Sequence, residues 1–136
     1  MSTRSEVADK IRAEAPDEWD VHDVPLRLRS FTDATKLVAI VVEQRGLVAS
    51  PFSSDGVEIP VEVNLSVWVI VDASRGEGAD VIEDRLEDAA EQLIRIFEPL
   101  AESVWDGTAE RTSYDEQKPA YQFPLRFTGT ITQEEV

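Results

Sequence analysis

Val61-Glu62-Val63-Asn64-Leu65-Ser66-Val67-Trp68-Val69-Ile70-Val71-Asp72 decides the fold. Val61, Val63, Leu65, Val67, Val69 and Val71 fall on one face of an extended chain; Glu62, Asn64, Ser66, Trp68, Ile70 and Asp72 fall on the other. Side chains alternate with period two in a strand, so six apolar residues in register predict a sheet with one buried face. Branched valines suit the pleated surface. After Asp72 the period changes. Ala73-Ser74-Arg75-Gly76-Glu77-Gly78 is a turn-rich break, and beyond it Val81 or Ile82, Leu86, Ala89, Ala90, Leu93, Ile94 and Phe97 recur at steps of three and four. That spacing predicts a long helix with one apolar stripe, for which the valine face is the nearest surface. Asp80 is the expected N-cap, and Pro99, which lacks an amide hydrogen, ends the helix at Glu98.

Upstream, Leu37-Val38-Ala39-Ile40-Val41-Val42 is apolar without alternation, as in a central strand, and Glu43-Gln44-Arg45-Gly46 ends it. Val7, Ala8, Ile11 and Ala15 share one side of a short helix over Ser5–Ala15, with Ser5 as its cap and Pro16 at its end. Trp19-Asp20-Val21 reads as a short strand, and Val24, Leu26 and Leu28 around Pro25 outline an edge strand. An exposed hairpin loop is expected at about 46–60, rich in serine and broken by Pro51, Gly56 and Pro60. Leu47, Val48, Phe52, Val57 and Ile59 make it too apolar for a loop that only meets water. It packs either on a partner or back on its own domain.

Downstream, Val104 and Trp105 open a strand that ends near Thr112 and Tyr114, with an interruption at Gly107. Residues 114–119 form a polar hairpin connection. Tyr121, Phe123, Leu125, Phe127, Gly129 and Ile131 share one face of the next strand, and Pro124, on the other, implies an edge position or a bulge. The fold class is α+β. One domain spanning 1–136 is expected as a two-layer sandwich, a mostly antiparallel sheet of about four to five strands with one long and one short helix on one side.

Net charge is the strongest compositional signal, at −15 from 28 acidic and 13 basic residues. Such a chain repels phosphates and gains nothing from counterion release, so it should not grip nucleic acid. Its acidity fits three roles: solubility, mimicry of DNA, or the lining of a passage that DNA crosses without sticking. The absence of cysteine excludes disulfides and thiolate chemistry. No membrane span and no secretory signal are expected, because no apolar run is long enough.

Catalytic patterns are sparse. His22 is the only histidine, with no second histidine or cysteine to complete a metal site, and no Gly-x-Ser-x-Gly elbow presents a serine. Arg75-Gly76-Glu77-Gly78 has the outline of a phosphate loop, but no lysine follows it and acids crowd the next helix. Asp80, Asp84, Glu87, Asp88 and Glu91 lie along the solvent side of that helix, with Glu91 and Arg95 as its one favourable pair. Several of the acids stand four apart, each such pair unfavourable by a few tenths of about 1 kcal/mol. The run reads as a solvated face or as an acidic ridge suited to repulsion. No catalytic residue, metal or cofactor is expected.

The succession of elements resembles a known family. A short N-terminal helix leads to Trp19-x-Val21, then to the apolar strand Leu37–Val42 and the alternating strand Val61–Val71. An acidic helix built on Asp80-x-x-x-Asp84-x-Leu86-x-Asp88-Ala89 follows, and the final strand is entered through Lys118-Pro119-Ala120-Tyr121. This resembles the tail terminator (tail-to-head joining) proteins of long-tailed bacteriophages, particularly those of actinobacteria, over nearly the whole chain.

The resemblance implies a virion protein made in the bacterial cytoplasm, a homohexameric ring that caps the tail tube protein and meets the head–tail connector or stopper protein. It implies no enzyme activity, no cofactor and no membrane. DNA would pass through the ring without specific binding. Leu47, Val48, Phe52, Val57 and Ile59 become the expected subunit or tube interface. Asp80, Asp84, Glu87, Asp88 and Glu91 become an acidic ridge suited to the ring's lumen. Two other classes fit the residues: an acidic DNA mimic that inhibits a basic nucleic-acid enzyme, or a small-molecule-binding or enzymatic domain. Another neck or minor tail protein is the nearest relative of the first reading.

Overall fold

A computed structural model describes residues 3–22, 37–49, 58–71, 77–98, 105, 107–114 and 118–132. The elements run α1 (Thr3–Glu14), β1 (Trp19–His22), β2 (Val38–Ala49), β3 (Glu58–Val71), α2 (Ala79–Phe97), β4 (Glu110–Tyr114) and β5 (Lys118–Thr132). The five strands form one sheet in the order β1-β2-β3-β5-β4. The β1–β2 pair is parallel and the other three are antiparallel. The chain is the expected α+β sandwich with a mostly antiparallel sheet.

The valine face lies under the helices as the alternation requires. Val61, Leu65, Val67, Val69 and Val71 are buried, as are Ile82, Leu86, Ala89, Ala90, Leu93, Ile96 and Phe97 from α2 and Val7, Ala8 and Ile11 from α1. Between the alternatives for the start of the α2 stripe, Ile82 is buried and Val81 is exposed; further on, Leu93 is buried while Ile94 is exposed. Glu98 caps the C-terminus of α2, as Pro99 dictates.

Three local expectations need correction. The N-cap of α2 is Gly78, with no side-chain capping bond, and Asp80 sits inside the first turn. There its charge meets the positive end of the helix dipole without bonding the orphan amides. Likewise α1 begins at Thr3, so Ser5 is a first-turn residue rather than a cap. The third concerns β3, whose alternation predicted one buried face; its other face is covered as well, as the unbroken apolar run of β2 already implied for its neighbour. Ala39, Val41, Ile70 and Ala120 form a second buried cluster there, flanked by half-buried Trp68. Ser66 on the same face is buried too, its hydroxyl accepting from Gln122 Nε2 at 2.8 Å. A buried polar group of this kind needs such a partner. The central strands are therefore apolar on both sides.

At the C-terminal end of the sheet, Gly107 interrupts the chain before β4 with φ 90°, and Trp105 bridges Leu125 alone. Pro124 lies beyond the last β4–β5 pair, Glu110↔Gln122, so it occupies an edge. Residues 24–28, where an edge strand was outlined, lie outside the described residues. Among the described residues no helix is long and apolar enough to cross a membrane.

Candidate functional site

Of the stretch expected as a hairpin loop at about 46–60, both ends, 46–49 and 58–60, are strand, and 50–57 lie outside the described residues. β2 continues through Leu47, Val48 and Ala49, which pair with Val63, Glu62 and Val61, and β3 already begins at Glu58. Gly46 does not end β2. The register shifts between Gln44 and Gly46, so one extra residue is absorbed as a bulge and the strand goes on. On the far side of β3, β5 pairs all the way to Glu58↔Thr132. The result is a three-stranded arm made of the end of β2, the start of β3 and the end of β5.

Register sets out the arm's rows. Leu47, Val63 and Phe127 stand side by side, followed by Val48, Glu62 and Thr128, then Ala49, Val61 and Gly129. Paired residues share a face, so the first and third rows continue the helix-covered side of the sheet. Toward the arm the cover is lost. Val63 and Phe127 are half-buried against the core, whereas Leu47 and Val48 are 58% and 52% exposed. Ile59 is half-buried and pairs with Ile131; Phe52 and Val57 lie outside the described residues. Of the five expected interface residues, three are thus on the arm, in strands rather than a loop. Sequence reading missed that β5 supplies the arm's third strand.

Two ion pairs sit on the arm, Arg45 Nη1 with Glu43 Oε1 at 2.9 Å and Arg126 Nε with Glu62 Oε1 at 3.3 Å. Its described strands, 42–49, 58–64 and 126–132, hold three acids against two arginines, a balance of −1 in a chain of −15.

The acid is elsewhere. Asp80, Asp84, Glu87, Asp88 and Glu91 are all exposed along the outer face of α2, opposite the stripe that packs on the sheet. At about 100° per residue they occupy less than a third of the helix circumference, which makes a ridge of five carboxylates. Two arginines beside this helix are taken by other acids. Arg111 on β4 donates Nη2 to Glu83 Oε1 at 2.6 Å, and Arg85 makes a two-pronged bond to Glu77, Nη1 to Oε1 at 2.7 Å and Nη2 to Oε2 at 2.6 Å. That fork, strengthened by attraction to Glu77 and Glu18, holds the Arg85 guanidinium above its usual range against the cost of burial. Among the described residues the expected Glu91–Arg95 pair is not formed, and exposed Arg95 stands at the C-terminal end of the ridge as its one cation.

A polar pocket of about 290 Å³ opens between the end of α1 and β1, lined by Arg12, Asp17, Trp19, Asp20 and Val21 among others. Its cation is already engaged, since Arg12 donates to Asp9 Oδ1 at 2.7 Å and to the Val21 carbonyl at 3.1 Å. His22 Nε2 lies 2.9 Å from Asp20 Oδ2 on the half-buried edge strand β1. Among the described residues no group of three or more His, Asp or Glu is placed to hold a metal ion. The arm and the ridge are the two surfaces with distinct character, and they are separate. No protein-family model and no curated protein matches the chain.

Proposed function

We propose that the protein is a structural virion component, a tail terminator that forms a hexameric ring at the head-proximal end of a phage tail tube. The observation that carries this reading is the separation of two surfaces on one small domain. A nearly neutral arm with exposed Leu47 and Val48 suits contact with copies and with the tube, and a ridge of five carboxylates on α2 suits a wall that DNA slides past. In a ring each interface joins two different patches, so neighbouring copies use unlike parts of the same surface. The ring stops tube growth and offers its other end to the head–tail connector. The resemblance in the order of elements supports the same reading, and the α+β fold is compatible with it.

Light scattering after size exclusion, with negative-stain images of the same fractions and of fractions mixed with tail tubes, tests it. Six-fold rings, free or on tube ends, are expected. A chain that ignores tubes and instead forms a stable complex with a basic DNA-handling protein overturns it in favour of a DNA mimic.

A further inference from the structure

The sheet face opposite the helices has an occupant. α1 and α2 both pack on the valine side. Yet Val41, Ile70 and Ala120 on the other side are fully buried, and Ala39 is 2% exposed. A sheet face left to water keeps its branched side chains partly exposed, so another part of the chain lies over this one.

Topology says which part. β1 and β2 are parallel, so the chain must return from the end of one to the start of the other. Such a return takes roughly a dozen residues or more and crosses one face of the sheet. Fifteen residues, 23–37, lie between the two strands. Their far end is fixed beside the start of β1, where the Leu37 amide donates to the Glu18 carbonyl at 2.9 Å. Handedness selects the face. β3 and β4 are also parallel to each other, both antiparallel to β5, and α2 joins them across the valine side. Both connections advance in the same sense, from the β1 edge toward the β4 edge, but β1 and β2 point opposite to β3 and β4. Right-handed connections that advance alike between oppositely directed strands lie on opposite faces. The return from β1 to β2 thus belongs on the face of Val41 and Ile70.

We propose that residues 23–36 seat across Ala39, Val41, Ile70 and Ala120, so that this face is filled by the chain itself and is not a surface for a partner. Composition suits the role, since Val24, Leu26, Leu28 and Phe31 supply apolar side chains along the segment. The chain's other joints are anchored elsewhere. Residues 99–104 lie between Phe97 and Trp105, both in the helix-side core. Residues 50–57 and 133–136 adjoin Ala49, Glu58 and Thr132 at the far end of the arm. Neither 72–76 nor 115–117 holds an apolar residue larger than alanine. The assignment does not rest on the ring reading and is tested apart from it.

The chain has no cysteine, so single introduced thiols report access to solvent cleanly. Ile70→Cys and Val69→Cys place neighbouring probes on opposite faces of β3, at two fully buried positions. In the full chain both should resist a thiol reagent. With Leu26→Asp and Leu28→Asp added, Ile70→Cys should react about tenfold faster or more, the shift in opening that the burial of one leucine corresponds to, while Val69→Cys stays protected. An unchanged Ile70→Cys overturns the proposal. Where the two aspartates open both probes, the fold has failed, and cross-linking of the otherwise intact chain decides. A second cysteine placed in turn at each position from 26 to 33 should form an intrachain disulfide with Ile70→Cys at one or more of them, read by mass and by non-reducing mobility. With Val69→Cys it should form none. No link to Ile70→Cys, as when the segment continues β1 alongside β2, overturns the proposal, and so do links to both probes alike.

Discussion

Phe97 and Phe123 meet edge to face, ring centroids 5.7 Å apart and planes at 69°, and so fasten the last turn of α2 to β5. Trp105 completes the group, 6.2 Å from Phe97 and 5.9 Å from Phe123, with its indole Nε1 donating to the Thr108 carbonyl at 2.8 Å. Both phenylalanines are fully buried. Removing either ring leaves a cavity between helix and sheet, and Phe97→Ala should lower stability by about 3–5 kcal/mol. Urea unfolding followed by tryptophan emission measures it; a loss below about 1 kcal/mol would mean the cluster repacks without cost.

Gly107 follows that tryptophan in the left-handed region, φ 90°, with open space where a Cβ would stand. Substitution there meets backbone strain but no clash. Gly107→Ala should cost about 1 kcal/mol, and Gly107→Asn less, since asparagine tolerates positive φ better. Equal losses for the two, by thermal or chemical unfolding, would show that φ is not what the glycine supplies.

The Arg85–Glu77 fork is partly buried, with side chains 17% and 28% exposed. Glu77→Gln should cost about 1–2 kcal/mol, because the guanidinium keeps its burial and loses a charged acceptor. The raised value for Arg85 fixes the alkaline behaviour. A cation whose pKa rises on folding contributes fully below its unfolded value and loses that contribution only as pH climbs through the higher folded one. The difference between wild type and Glu77→Gln should therefore stay flat from neutral pH to about 10. A difference that fades over that range would place the attraction on some other group.

Neutralising the ridge separates its structural cost from its use. Asp84→Asn, Glu87→Gln, Asp88→Asn and Glu91→Gln together relieve like-charge neighbours and should leave stability unchanged or raise it by about 1 kcal/mol. Asp80→Asn should run the other way by a few tenths of about 1 kcal/mol, since its charge faces the helix N-terminus. In assembled rings the neutral variant should retard duplex DNA at low salt where wild type does not. Rings that treat DNA alike with and without the ridge would put these acids outside the DNA's path.

How much of this was legible varies along the chain for physical reasons. The alternation from Val61 to Val71 and the stripe from Ile82 to Phe97 are strong periodic signals, and both elements lie where they point. The arm was hidden by punctuation. Gly46 and Pro60 look like strand breakers, yet Gly46 is taken up in a bulge, and Pro60 lies past the last described β2–β3 pair, Ala49↔Val61, and pairs with Thr130 of β5. The buried second face was legible in β2, apolar without alternation, but not in β3, where Ile70 and Trp68 share their face with Ser66, Asn64 and Glu62 and period alone cannot say whether that face is covered. Of the candidate sites, the ridge is fully exposed as the helix pattern required. The pairing of β5 with the arm depends on contacts between distant residues, for which local spacing carries no signal.

That distance has a consequence for how a subunit comes into being. Ser66 and Gln122, hydrogen-bonded across the middle of the sheet, are 56 residues apart, with the whole of α2 between them. Contacts so far apart in sequence form slowly, because a long loop must close before any pairing rewards it. A nascent chain that has made β3 and α2 carries an open central strand until β5 arrives. Synthesis order thus leaves the middle of the sheet to close last, on the strand that the ribosome delivers last.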